Sequence, residues 1–263
     1  MIKYRFEEAD FWISPDHKDQ GDLIKKCGYR QDQVELLTGG RLNQVYRLGQ
    51  DRVLKICQGP YRMQELVREA RAMTLTGNMS PDVIKSHLDD DHAYMVQTLV
   101  QGPSLRESLA SRSKEELWRQ VGQVMSRIHS LLKGQGDQSV WLEGLLTLAD
   151  HNMNEGLIDL EDLGGLDPQE VLNDLRAHRP RGNRTCLLHG DLRTKNILMS
   201  DQGPILIDWG FVDLGDPYYD LAIIDYYFKT QDDRQAFYEG YGDLVYDQEV
   251  IDYYDKLSWF INI

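Results

Sequence analysis

Between Leu187 and Gly210 the chain reads LLHGDLRTKNILMSDQGPILIDWG, a stretch that holds Asp191, Asn196 and Asp208 around two short apolar runs. The segment NILMSDQGPILID places those runs on either side of the turn-forming Asp-Gln-Gly-Pro, and this pattern predicts an antiparallel hairpin. In such a hairpin the start of the first strand lies opposite the end of the second. Asn196 and Asp208 are those two ends, so both reach one rim, and Asp191 stands on the loop leading in. An amide oxygen and a carboxylate suit a hard cation such as Mg²⁺, which keeps several waters and bridges protein to phosphate.

The spacing also resembles the protein-kinase catalytic loop. HGDLRTKN matches Asp-Leu-x-x-x-Asn, with Gly190 where those enzymes usually carry Arg, and DWG stands in the place of Asp-Phe-Gly. The resemblance implies that Asp191 orients the attacking hydroxyl and accepts its proton. It also implies that Asn196 and Asp208 hold Mg²⁺ against nucleotide phosphates.

Elements that position such a loop are expected upstream. QVELLT, QVYRLG, RVLKIC and AYMVQTLV read as short strands, and one helix interrupts them over YRMQELVREARAMTLTG. Met63, Leu66, Val67 and Ala70 recur at helical spacing, and Gly77 lies where the helix should stop. Gly39 and Gly40 fall between two β-like runs, where a phosphate-covering turn would sit. Lys55 is the one charge within the apolar run VLKIC, where a phosphate-binding lysine is expected. Glu69 on the following helix is its favoured partner, with Glu65 one turn earlier as the alternative. AYMVQTLVQG resembles a strand running into a hinge, and adenine would take backbone hydrogen bonds there near Thr98 to Val100. After Gly102 the pattern becomes mostly helical. The expected division is a nucleotide-binding lobe over 1–101 and a helical lobe over 102–263 with the catalytic loop and substrate site.

The chain has 263 residues, hydrophobic content of 41% and a formal net charge of −14, the profile of a globular protein that repels nucleic acid and anionic membranes. No apolar run reaches membrane-spanning length, and the N-terminus is charged from the start. Its cysteines, Cys27, Cys57 and Cys186, match neither a zinc spacing nor a disulfide framework. Buried reduced thiols and cytoplasmic residence are the expectation.

Taken together, LTGGRLNQVYRL, LKIC, REA, LVQGPSL, RIHSLL, LLHGDLRTKNILM, ILIDWG and GDPYYDLA resemble the aminoglycoside phosphotransferase family, with its choline-kinase-like relatives. The resemblance implies a two-lobed, protein-kinase-like α+β fold: a small antiparallel sheet with one main helix, then a larger helical lobe. It implies ATP, or in some members GTP, as donor, with Mg²⁺ and a small-molecule hydroxyl as acceptor. DWGFVDLGDPYYDLA leaves no room for an activation loop, which sets the chain apart from protein kinases. Asp216 and Asp220 match positions that cap and tether the next helix, and His189 one that braces the loop. Asp213, Asp225, Asp232, Asp233 and Glu239 could gather around a cationic acceptor, with Tyr226 and Tyr227 stacking on it. A kinase-fold scaffold without turnover is the alternative, and the oligomeric state is left between monomer and homodimer.

Overall fold

The computed structural model describes residues 20–39, 44–110, 113–158, 161, 163–242 and 245–261. They form two compact units. One contains the described residues up to Pro103 together with Ile197–Val212, and the other contains those of Ser104–Asn196 and Asp213–Ile263. The architecture is α+β, as the sequence predicts.

The first unit is built on a five-stranded antiparallel sheet of β1 (Val34–Gly39), β2 (Gln44–Leu48), β3 (Arg52–Cys57), β4 (Val83–Leu88) and β5 (Ala93–Thr98). Their order is β1-β2-β3-β5-β4. Central β3 and β5 are buried along nearly their whole length because both faces are covered, whereas the edge strand β4 is mostly exposed. That exposure explains why β4 lacks an apolar signal in the sequence. Side chains alternate across a strand, so Leu54 and Ile56 share one face. They pack there with Leu23, Ile24 and Cys27 of α1 (Gln20–Lys26), a short helix with no counterpart in the sequence reading. Val53, Lys55 and Cys57 take the other face. α2 (Pro60–Thr76) starts with Pro at its first position, where the missing N–H costs nothing, and ends at Gly77 with φ +56. Met63, Leu66, Ala70 and Met73 line its buried stripe, and Glu65 and Glu69 are buried with them.

The hairpin has its expected register: β7 (Ile197–Ser200) pairs with β8 (Gly203–Leu206) from Ile197↔Leu206 to Ser200↔Gly203. The division read from the sequence assigns it to the helical unit, but it packs with the first. The Met199 N–H donates to the Pro103 carbonyl at 2.8 Å. Gly102, with φ +140, lies so close that a Cβ there would stand 2.4 Å from the Met199 oxygen. Backbone approach of this kind requires glycine and leaves no apolar signature.

The second unit contains α3 (Leu105–Ser108), α4 (Lys114–Ser130), α5 (Gln138–Asn154), α6 (Pro168–Ala177), α7 (Tyr218–Asp225), α8 (Gln231–Tyr241) and α9 (Gln248–Ser258). A further strand pair, β6 (Cys186–Leu188) with β9 (Asp213–Gly215), is too short to show a period in the sequence. α4 and α8 meet backbone to backbone: a Cβ on Gly122 would lie 2.1 Å from the Phe237 oxygen, and one on Gly240 would lie 2.0 Å from that of Arg119. The three cysteines are free and buried. Burial pushes the Cys27 and Cys57 thiols up to about 11 and about 12, so neither is a thiolate at neutral pH.

Candidate active site

In the first unit Lys55 is the hub. Its Nζ lies 2.5 Å from Glu69 Oε1 and 3.4 Å from Asp208 Oδ1. The sheet sets this up: Lys55 sits opposite Val45 and Met95, on the strand face that α2 covers. Burial pulls the ammonium down, but Glu69 and then Asp208 outweigh it, and the group stays above its ordinary range, fully charged. Glu69 Oε1 also accepts the Trp209 N–H at 3.2 Å, so one carboxylate ties β3 to the segment after β8. Trp209 is completely buried, and its indole N–H donates to the Leu206 carbonyl. The choice between the two glutamates is resolved by geometry: Glu65 pairs with Arg62 at 2.9 Å.

Asp208 takes φ +65, a left-handed conformation that is uncommon outside glycine and tolerated by Asp. Its side chain is half exposed and gives one oxygen to Lys55, which leaves Oδ2 for a cation. Among the described residues no cluster of three His, Cys, Asp or Glu could hold a metal unaided. A cation here would draw further ligands from phosphate and water, as Mg²⁺ commonly does.

Gly39 ends β1 and pairs with Gln44, while Gly40 lies outside the described residues. At the end of β5 the Thr98 N–H donates to the Asp82 carbonyl and the Leu99 N–H to that of Asp51. The next amide, that of Val100, has no backbone partner among the described residues.

In the second unit the catalytic-type loop hangs on one buried carboxylate. Asp220, fully enclosed in α7, accepts the backbone N–H of His189 at 2.7 Å and of Gly190 at 2.8 Å. Gly190 has φ +83, which accounts for glycine at this position. Burial pushes the Asp220 carboxyl up, but His129 and the His189 amide outweigh it and hold the group below its ordinary range. His129 bridges further, with Nε2 on Asp220 at 3.1 Å and Nδ1 on the Tyr241 hydroxyl at 2.7 Å. The expected tether to the next helix is therefore also the anchor of the loop. Asp216 holds Arg184 and Gln138, each at 2.8 Å.

Asp191 follows directly. Its carboxylate accepts the Asn196 side-chain N–H at 2.8 Å and pairs with Arg193 Nε at 2.6 Å. Because Asn196 Nδ2 is engaged by Asp191, its Oδ1 is the atom left to ligate a metal. The His189 ring accepts the Asp191 N–H at 3.3 Å, the bracing role expected of it.

The acidic residues expected around a cationic acceptor are largely engaged elsewhere. Asp225 forms a two-pronged pair with Arg234, Glu239 pairs with Arg119, and Asp233 is buried in the capping box that Thr230 opens for α8. Asp232 is exposed in the first turn of α8, and Asp213 accepts its neighbour's Leu214 N–H. Tyr226 and Tyr227 meet edge to face at 5.3 Å, with Tyr226 largely exposed. Arg193 went unnoticed in the sequence because an arginine two residues from an aspartate has no distinctive pattern.

Comparison with known proteins places these groups in context. The model of the phosphotransferase enzyme family, APH, matches residues 33–259. An aminoglycoside 3'-phosphotransferase of Streptomyces fradiae is 26% identical over 151 residues, covering 54% of this chain and 56% of that protein. One from Streptomyces ribosidificus is 28% identical over 152 residues, covering 54% and 57%. The matches thus span little more than half the length of these relatives. Among solved structures, an aminoglycoside-3'-phosphotransferase of type VIII superposes with a TM-score of 0.70 at 21% identity, covering 93% of this chain and 100% of that one. With the family pattern matched from β1 to α9, the chain belongs to the APH phosphotransferase enzyme family.

Proposed function

We propose that this protein is an ATP- and Mg²⁺-dependent phosphotransferase that moves the γ-phosphoryl group to a hydroxyl of a small molecule. The observation that carries this reading is Lys55, buried and charged between Glu69 and the half-exposed Asp208. That arrangement suits a lysine that neutralises nucleotide phosphates beside a metal-binding carboxylate. Gly39, Gly40, Thr98 and Val100 are assigned to the nucleotide, the last two through backbone groups beside adenine. Asn196 and Asp208 are assigned to Mg²⁺, which supplies charge neutralisation at the phosphates when bound.

Asp191 is the catalytic residue of this scheme. Its carboxylate orients the acceptor hydroxyl and takes its proton, which then passes to solvent. The acceptor oxygen forms its bond to the γ-phosphorus as the bond to the leaving ADP oxygen breaks. Positioning and charge neutralisation supply most of the rate in such transfers. Buried thiols and the absence, among the described residues, of a helix able to cross a membrane fit a cytoplasmic setting.

A turnover screen tests the reading. ATP and Mg²⁺ are offered with aminoglycosides, choline, ethanolamine, thiamine, homoserine and simple sugars, with GTP as the comparison donor and Asp191→Ala as the control. Phosphorylation of a compound that disappears in the control supports the assignment. Tight Mg²⁺-ATP binding with no transfer to any compound favours the scaffold alternative. Transfer that survives in Asp191→Ala refutes the role given to Asp191.

A further inference from the structure

Beside Asp191 the second unit contains a cavity of about 660 Å³ whose charge is the reverse of the chain's own. Acidic residues outnumber basic ones 43 to 29 in the sequence. In the wall of this cavity they are outnumbered five to one: Arg106, Lys114, Arg193, Lys195 and Lys229 face Asp233 alone. That single carboxylate is already engaged, since it is buried and accepts the backbone N–H groups of Lys229 and Thr230. Of the cations, Arg193 pairs with Asp191 and Lys229 lies 5.7 Å from the Tyr226 ring. Arg106, Lys114 and Lys195 form no ion pair among the described residues, and all three are exposed. The acidic neighbours on α4 do not offset them: Glu116 is held by Arg119 and Gln120, and neither Glu115 nor Glu116 lines the cavity.

Two further features point to a ligand. Trp118 lines the cavity with its side chain buried, and its indole N–H has no hydrogen-bond partner among the described residues. A donor buried without an acceptor is destabilising, and a bound acceptor oxygen would offset that. Tyr227 also lines the cavity, close enough to Asp191, Arg193 and Arg106 for all three charges to act on its phenol. Arg193 of the cavity wall pairs with Asp191 at 2.6 Å, so the cavity lies beside the carboxylate assigned to receive the acceptor's proton.

We infer that the acceptor is a small hydroxyl compound bearing an anionic group, a carboxylate or a phosphate, held by Arg106, Lys114, Lys195 and Lys229 while its hydroxyl reaches Asp191. The inference rests on the phosphotransferase reading above and names the acceptor class for that same site. A polycationic aminoglycoside would meet like charge here, and like charges at close range disfavour the wrong ligand strongly.

A matched series tests it on the full chain: glucose, glucuronate, glucosamine, glucose 6-phosphate and kanamycin. Binding is read by ligand-observed NMR and transfer by ADP release. Glucuronate and glucose 6-phosphate are expected to bind at least about tenfold more tightly than glucose or glucosamine, an advantage that shrinks as salt rises. Lys114→Glu with Lys229→Glu is expected to erase that advantage, with Mg²⁺-ATP affinity measured in parallel as the control for folding. Tighter binding of kanamycin or glucosamine than of the anions, or no anion binding at millimolar concentration, would overturn the inference. So would a charge reversal that weakens Mg²⁺-ATP and leaves glucuronate untouched. Transfer to a cationic acceptor alone sinks this inference and keeps the kinase reading. Anion binding lost on charge reversal, without transfer to any member, keeps the anion site but overturns its assignment to the acceptor.

Discussion

Two aspartates carry the proposed chemistry, and the two units hold them by different physics. In the first unit Asp208 is restrained by charge, through Lys55 and its tight pair with Glu69. In the second, Asp191 sits on a loop whose backbone is hung from Asp220, and its carboxylate pairs with Arg193 of the same loop. The charge-held arrangement is compact and spans β3, α2 and the segment after β8. The backbone-held arrangement fixes the loop's shape through amides rather than through the Asp191 carboxylate itself.

The largest expected effect falls on the base itself. Asp191→Asn should lower kcat by about 10²–10⁴-fold while Mg²⁺-ATP affinity stays within about twofold, measured by turnover and by calorimetric titration. A comparable loss of nucleotide affinity would erase the distinction between the two units.

Next comes the buried pair. Lys55→Ala leaves Glu69 enclosed without its cation, and should cost about 3–5 kcal/mol in chemical denaturation. Lys55→Met combined with Glu69→Leu should recover most of that stability, because replacing both charges with apolar groups is close to neutral. Nucleotide affinity should not return in the double variant. If it does, Lys55 has only a structural role.

Asp220→Asn keeps the shape and removes the charge that two loop amides and His129 rely on. It should cost about 2 kcal/mol and lower kcat more than it raises KM for ATP. The Asp220 carboxyl is held below its ordinary value of 3.8. Its contribution is thus fully present above that pH and fades only as pH falls through the lower folded value. The stability difference between wild type and this variant should be flat from neutral pH down to about 4 and should shrink below it. A difference already collapsing near pH 6 would point to a neighbouring histidine instead.

The smallest effect is expected at Glu65. Burial lifts its carboxyl above the ordinary range despite Arg62, so the charged form adds little net stability. Glu65→Gln should leave Mg²⁺-ATP affinity within about twofold, whereas Glu69→Gln should weaken it about tenfold or more, given the worth of a buried charged hydrogen bond. Equal losses in the two variants would mean that both glutamates serve the lysine.

Several of these elements were legible in the residues. Asp201 to Pro204 announce the hairpin turn, and its register, from Ile197↔Leu206 to Ser200↔Gly203, follows from the two apolar runs. The α2 stripe and its stop at Gly77 follow from helical spacing and one glycine. Lys55 stands out as the one charge within the apolar run VLKIC. Less was legible where the pattern was short or buried on all sides. α5 is apolar around much of its circumference, so no face separates it from its surroundings. β6 and β9 are three residues each, below any readable period.

Local spacing in the chain thus determined the loop from His189 to Asn196, the hairpin, the strand carrying Lys55 and the family pattern that joins them, because hydrogen-bonding periods and turn chemistry act over a few residues. The tertiary structure alone chose Glu69 over Glu65, made Asp220 the anchor of a loop 30 residues before it, and packed the hairpin against Gly102. It also sorted the charges of the second unit, pairing Asp225 and Glu239 with arginines and leaving Arg106, Lys114 and Lys195 to a cavity. Coulomb and burial terms depend on distance in space, and for groups dozens of residues apart that distance exists only once the chain has folded.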